Sequence, residues 1–416
     1  MNAARPPLKS LDDALAELLA RARLMEGVET VSTFDADGRV LAADLVSALQ
    51  VPPQDNSAMD GYAVRVREIA DEGVLLPVSQ RIPAGSAARP LAPGSAARIF
   101  TGAPVPEGAD AIVMQEDTQA EGESVRIQRV PEPGQWIRRS GEDVTRGAVV
   151  LARGERLGPA SLGLAAGIGL AVLPVVRRPR VALFSTGDEL VMPGTVAPEA
   201  MPAGAIYNSN RFFLRALLLR LGCTVSDLGI VPDRLDATVE ALRSAAAGHD
   251  LILTSGGVSV GEEDHIKPAL QQTGTLTQWQ IAMKPGKPFA CGEVRSTDAA
   301  QGAGAHFIGL PGNPVSSFIT FLLLVRPFLL KLQGARVLVP LPVLLPAHFD
   351  LPRADRRREF LRARRNGAGG LELFPNQSSG VLTSTVWGEG LVDNPPGQTI
   401  ARGDPVRFTA FSEWLA

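Results

Sequence analysis

Between residues 181 and 333 the chain repeats one pattern: a short apolar run, a loop of glycine and small polar residues, then a stretch with helical spacing. Val181-Ala182-Leu183-Phe184 runs into Ser185-Thr186-Gly187-Asp188. Residues 210–221 form an amphipathic helix pattern closed by Gly222, a helix-ending signal. Residues 224–231 read as a strand and 236–247 as a helix. Leu251-Ile252-Leu253 opens into a Gly-rich turn, and residues 306–310 precede a long apolar helix from Val315. Strands that alternate with helices imply a mostly parallel sheet with helices on both faces, a doubly wound α/β domain. Ligands of such sheets bind beyond the carboxyl ends of the strands.

The flanks read differently. Ser10 with Asp13 has the form of a capping box ahead of the helical run from Leu11 to Leu19. Residues 46–146 hold short β-type runs, such as Ala111-Ile112-Val113-Met114, between Gly/Pro turns, and form a β-rich module. A Pro/Arg-rich join lies at 175–180, and residues 334–416 return to short β-runs as a small C-terminal β-domain. The fold class is therefore multidomain, α/β plus β, and 416 residues accommodate it at about 100–200 residues per domain.

Bulk properties narrow the function. The net charge of −3 excludes a chain-wide electrostatic grip on nucleic acid, so any anion site is local. Two cysteines, Cys223 and Cys291, make neither a disulfide framework nor a Cys-x-x-Cys metal pair. The segment from Met1 to Lys9 has no apolar signal core. The most apolar stretch, 318–332, is broken by Arg326 and Pro327 and is shorter than the ~20 residues that span a bilayer. The expectation is a cytoplasmic protein bound neither to membrane nor to nucleic acid.

Three loops fall at strand ends. Ser185 to Glu189 places the carboxylates of Asp188 and Glu189 there. The loop Thr254 to Ser259, with Ser255, Gly256, Gly257 and Ser259, has a phosphate-cradling composition. Pro311-Gly312-Asn313-Pro314 is a rigid turn into a helix start. One such loop alone is an ordinary tight turn; three at one edge make a pocket. No G-x-x-x-x-G-K-[ST] or G-x-G-x-x-G string accompanies them, which disfavours a P-loop kinase or a simple NAD enzyme. Asp188, Glu189, Asp233, Asp250 and Asp264 lie near this edge without His or Cys neighbours and suit Mg2+; the alternative is helix caps and solvated charges. Asp250, just before a strand, reads as structural. Lys284 and Lys287 in Met283-Lys284-Pro285-Gly286-Lys287-Pro288 are fixed by prolines and suit a small oxyanion. Gly257-Val258-Ser259-Val260-Gly261 spells a hydrolase elbow, but Ser259 lies past the strand end and no base is marked downstream. The four histidines have no zinc spacing. Polar loops around Asp60, Thr101 and Asp143 read either as turn networks or as a site wall.

Taken together, the stretches 55–63, 101–106, 141–143, 185–190, 255–261, 283–288 and 309–316 resemble, in family order, the MoeA family, which includes the gephyrin E domain. The resemblance implies molybdopterin molybdenumtransferase activity: molybdate enters adenylylated molybdopterin with Mg2+, and AMP leaves. It implies an extended first domain from 1–45 and 147–180, the β-module at 46–146, a molybdopterin-binding α/β domain at 181–333 and the C-terminal domain at 334–416. It also implies a homodimer, with the site between the α/β domain of one subunit and the β-module of the other. On that basis Asp60, Asp143, Asp188, Glu189, Asp233 and Asp264 carry catalysis, with Asp188, Glu189 and Asp264 on Mg2+. Thr101, Arg138, Ser255, Gly256, Gly257, Ser259, Lys284, Lys287, Pro311, Asn313, Pro314 and Ser379 bind substrate. The implied partners are an upstream molybdopterin adenylyltransferase and downstream cofactor-handling proteins. One departure stands out: many relatives carry Lys or Arg where this chain has Gln280. Two rival classes remain, a pterin-binding scaffold without turnover and a pyrophosphate hydrolase that needs no molybdate.

Overall fold

Four runs, 224–231, 180–186, 251–255 and 305–310, lie side by side in that order as parallel strands, the last three buried and the first a largely uncovered edge. The computed structural model describes residues 8–257, 265–296 and 304–415. In the three inner strands side chains alternate between two cores. Val181, Leu183, Leu251, Leu253, Ile308 and Leu310 face helices Leu11–Arg21, Asn210–Arg220 and Pro314–Leu332. Ala182, Phe184, Ile252 and Phe307 face helices Leu235–Ala246 and Ile266–Thr273. A strand apolar at successive positions is stable only with both faces covered, and this packing supplies the cover. The strand at 224–231 and the helices at 210–220 and 235–246 match the expected spans to within a residue at each end. Gly222 follows its helix with φ of 78°, the left-handed ending that glycine permits.

Three features differ from the sequence reading. The sheet continues as an antiparallel hairpin, Gly274–Gln280 with Pro288–Val294, so it is mixed at one edge. Helix Leu11–Arg21 was expected with the extended N-terminal segment. Its Ser10 cap does accept from the Asp13 amide at 3.0 Å, but Leu11, Ala14 and Leu18 bury in the α/β core. Finally, the expected long apolar helix extends beyond the stretch 318–332, and Arg326 and Pro327 interrupt its apolar run without ending it. It runs 19 residues from Pro314 to Leu332, because a π-turn at Phe321–Val325 precedes Pro327 and accommodates its missing N–H. By length and composition it could cross a membrane, yet nearly all of it is buried inside the protein. Arg326 is buried with it and donates to the carbonyls of Trp414 at 2.6 Å and Leu338 at 3.0 Å.

The flanking segments are β-rich. Residues 28–32 pair with 172–176, and 45–46 with 149–151, which ties the N-terminal stretch to the segment after the β-module. Between them lies a six-stranded sheet that includes Gly61–Val64. A Cβ on Gly61 would stand 2.0 Å from the Val113 carbonyl oxygen, so only glycine fits there. The C-terminal sheet takes one strand from the α/β unit: Met283–Lys284 pairs in parallel with Arg358 and Glu359. The Pro/Arg-rich join is anchored too, since Arg177 grips Asp250 through two bonds of 2.6 and 2.7 Å. Asp250 thus has the structural role expected of it.

His306, on the fourth parallel strand, is 5% exposed and meets Phe328 edge-on with ring centroids 5.1 Å apart. Burial, helped by the Arg23 charge, pulls its pKa from 6.5 to about 4. A base depressed in the folded state gives stability that is present above its unfolded pKa and is lost as pH falls toward its folded one. Urea unfolding is therefore expected to show about 2 kcal/mol less stability at pH 5 than at pH 7 from this group. His306→Phe should remove that part of the slope; an unchanged pH profile in the variant would place its origin elsewhere.

Candidate active site

The loops at the carboxyl edge of the parallel strands are joined by specific bonds. Asn210 begins its helix at this edge, is 7% exposed, and donates from Nδ2 to Ser255 Oγ and to the Gly312 carbonyl, both at 2.7 Å. The Gly256 amide donates to the Leu310 carbonyl at 3.1 Å. Gly256 has φ of 93°, and a Cβ there would lie 2.6 Å from the Thr186 carbonyl oxygen. Gly257 follows at φ of 66°. A residue with a side chain would be strained at both positions and would push the first loop away at 256. Pro311 is buried, Asn313 is exposed, and Pro314 opens the helix. The Val315 amide donates to the Ser379 carbonyl at 3.0 Å, so a loop of the C-terminal domain reaches this edge. The structure thus brings together Ser255, Gly256, Pro311, Pro314 and Ser379, and Asn210 is the organiser that sequence reading missed. Its only signal was the polar run Asn208-Ser209-Asn210 ahead of an apolar helix.

The carboxylates of Asp188 and Glu189 stand exposed on the first loop. The Asp233 amide donates a long bond of 3.4 Å to Asp188 Oδ1, which brings the loop after strand 224–231 alongside. Gly187 has φ of 140°, and a Cβ on it would meet the Glu189 carboxylate at 2.5 Å, so glycine lets that carboxylate fold back over the loop. Two adjacent carboxylates without His or Cys are the donor chemistry a hard divalent cation takes. Among the described residues no group of three or more His, Cys, Asp or Glu is placed to hold a metal ion. Ser259 and Asp264, the latter expected as the third acidic donor, lie outside the described residues.

The two lysines of the Pro-fixed turn separate. Lys284 Nζ lies 2.9 Å from Glu359 Oε1 and 3.5 Å from Asp355 Oδ2, so its charge is matched by two carboxylates of the C-terminal domain. Glu359 is 3% exposed, and Asp355 is held far below the usual carboxylate range, first by Arg357. The sequence treated Lys284 and Lys287 as equivalent oxyanion holders; the fold commits Lys284 to an inter-domain ion pair. Lys287 is half-buried and has no side-chain partner among the described residues. Gly286 between them has φ of 107°, and a Cβ there would press within 2.5 Å of Thr320 Oγ1, so the turn packs on the long helix. Gln280 pairs with Pro288, and its carbonyl accepts from the Lys9 amide at 2.8 Å.

A second polar group sits on the β-module. Asp60 Oδ1 accepts from the Thr101 amide at 2.8 Å and the Thr101 hydroxyl at 2.7 Å, and these bonds lower its pKa below the ordinary 3.8. Arg139 meets Asp55 at 2.6 Å. Arg138 and Asp143 are exposed. Among the described residues, no hydrogen bond or ion pair of Asp60, Thr101, Arg138 or Asp143 reaches the α/β loops of the same chain.

Asn210→Ala removes the two side-chain bonds that bridge the second and third loops and leaves Ser255 Oγ buried without its partner. A loss of about 2–3 kcal/mol in urea unfolding is expected. A loss below about 0.5 kcal/mol would mean that the loops are held together by other contacts.

Comparison with known proteins bears on the whole chain. Family models described as "MoeA N-terminal region (domain I and II)", "Probable molybdopterin binding domain" and "MoeA C-terminal region (domain IV)" match residues 9–169, 182–331 and 345–411. The molybdopterin molybdenumtransferase of Haemophilus influenzae is 43% identical over 329 residues, covering 79% of this chain and 78% of that one. That of a Nostoc species is 35% identical over 405 residues, covering 95% and 91%. The crystal structure of the molybdopterin biosynthesis moeA protein from Pyrococcus horikoshii superposes with a TM-score of 0.83 at 30% identity, covering 97% of this chain and all of that one. On motif order, sequence identity and fold together, the chain belongs to the MoeA family, the family of the molybdopterin molybdenumtransferases.

Proposed function

We propose that this protein transfers molybdenum from molybdate to adenylylated molybdopterin, with Mg2+ at the site and release of AMP. Its coarser role, a molybdopterin-directed transferase of molybdenum cofactor biosynthesis, follows from the family. The observation that carries the finer reading is the pair of exposed carboxylates, Asp188 and Glu189, beside a glycine loop tied to the Pro311–Pro314 turn.

Each group has a part in this reading. Gly256 and Gly257 put no side chain between loop and ligand, which suits the close approach of a phosphate. Asn313 offers an exposed amide that makes no capping bond to its own helix. Lys287 supplies the positive charge that draws molybdate, and Lys284 holds the turn to the C-terminal domain through Glu359. Asp188 and Glu189, with Asp264 from the family pattern, would hold Mg2+. Mg2+ bound there supplies charge that polarises the pyrophosphate and stabilises departing AMP. Asp233 lies beside Asp188 and completes the acidic edge. Ser255, Ser259, Pro311, Pro314 and Ser379 shape the pterin pocket. No protein nucleophile is needed; positioning and electrostatics lower the barrier.

The second group, Asp60, Thr101, Arg138 and Asp143, is assigned to the pocket of a second copy. The absence of any bond from it to the α/β loops of its own chain, among the described residues, supports this. The protein then works as a homodimer, each site drawing on both subunits. It receives adenylylated molybdopterin from an adenylyltransferase and passes its product to cofactor-handling proteins. Cys223 and Cys291 are free and buried, and burial pushes their thiols up to about 12 and about 11, in keeping with a cytoplasmic protein whose cysteines only pack.

Purified protein given adenylylated molybdopterin, molybdate and Mg2+ is expected to release AMP in step with molybdate consumed. Release without molybdate would favour a hydrolase; tight binding with no release would favour a scaffold. Asp188→Asn combined with Glu189→Gln is expected to lower turnover at least 100-fold while pterin binding changes less than about threefold, since metal-held charge acts mainly on the transition state. Equal loss of both would remove these carboxylates from the metal.

A further inference from the structure

Trp136 is, among the described residues, the one residue other than glycine in the left-handed backbone region, with φ of 57°. Bulky residues rarely occupy that region, and strain of this kind persists only where the surroundings enforce it. Here they do. The Trp136 carbonyl accepts from the Ala58 amide at 2.8 Å, and the Gln135 carbonyl accepts from the Ile112 amide at 3.0 Å. The next two residues, Ile137 and Arg138, pair with Ser57 and Asn56. The turn is thereby fixed to the segment that leads into Asp60, whose carboxylate holds Thr101.

The side chain at this strained point is a large exposed aromatic, 37% accessible. The chain has four tryptophans, and the other three have their rings occupied. Trp279 stacks on Phe289 and carries Lys9 and Arg21. Trp387 meets Phe374 and Arg364, and Trp414 meets Arg326. No ring or cation packs on the Trp136 indole among the described residues. A rigid backbone thus presents a partly exposed indole, with no ring or cation packed on it, beside the β-module's polar group, at a position where a small or flexible residue would relieve strain.

We propose that the Trp136 indole is a stacking platform for a planar heteroaromatic ring, the adenine or the pterin of the substrate. Both rings present a π-face, and an indole held by few rotatable bonds binds such a face at small entropic cost. The inference rests on the function proposed above and adds a substrate contact on the β-module that does not depend on charge.

Trp136→Asn is the test, because asparagine tolerates the left-handed backbone and removes the ring. Its thermal midpoint is expected to equal or exceed that of the parent. KM for adenylylated molybdopterin should rise about tenfold with kcat within twofold, and Trp136→Phe should restore most of the loss. Calorimetric titration of the protein with AMP and, separately, with neopterin identifies the ring: affinity for one should fall about tenfold and for the other stay level. Unchanged KM and unchanged affinity for both probes would overturn the platform. So would a variant that keeps both affinities but dissociates into monomers, since the indole would then belong to the subunit contact. If the parent binds either probe in a Trp136-dependent way yet releases no AMP from adenylylated molybdopterin, the proposed function fails and the platform stands.

Discussion

The need to cover both faces of the parallel strands is the constraint on which the rest of this molecule depends. Val181 to Phe184 send side chains alternately into two cores, and each core must be closed by helices. Helices that follow strands return to the opposite edge, so the loops that open them collect beyond the strand ends. The asymmetry of the sheet, with a solvent-facing edge of loops and a buried centre, comes from that packing. The N-terminal helix is drawn into the same core, and the apolar helix at 314–332 is long because it closes the largest cluster.

The site is built on this edge by small numbers of polar bonds in places where a side chain does not fit. Gly256 sits against the Thr186 carbonyl, and Asn210 bridges the two loops on either side. Such bonds are largely shielded from water, which makes each of them more consequential than an exposed contact. The acidic pair at 188 and 189, by contrast, is left in solvent, where its charge is available to a ligand.

How far the sequence reached depended on the range of the interaction. The Ser10 cap, the helix ending at Gly222 and the strand at 224–231 are set by residues within a few positions of one another, and all were legible. The hairpin 274–280 with 288–294 was not, because its mixed Gly/Thr/Gln pattern carries no clean period and its pairing is completed by strand 305–310. The long helix from Val315 was legible, but the π-turn ahead of Pro327 was not, since a π-turn has no sequence marker. For the site, the three loops and their order were legible from strand ends. The separate fates of Lys284 and Lys287 were not, since Glu359 lies 75 positions away in the chain. The left-handed backbone of Trp136 was hidden for a similar reason: Ala58 and Ile112, which enforce it, are distant in the chain.

The strand Met283–Lys284 belongs by sequence to the α/β unit and by hydrogen bonding to the C-terminal sheet. A strand shared in this way makes two bodies one mechanical object. The Lys284–Glu359 pair fixes the turn that carries Lys287, three residues on, and the Ser379 carbonyl fixes the start of the Pro314 helix. The C-terminal domain therefore braces the α/β edge at two separate points, the Lys284–Glu359 pair and the Ser379 carbonyl.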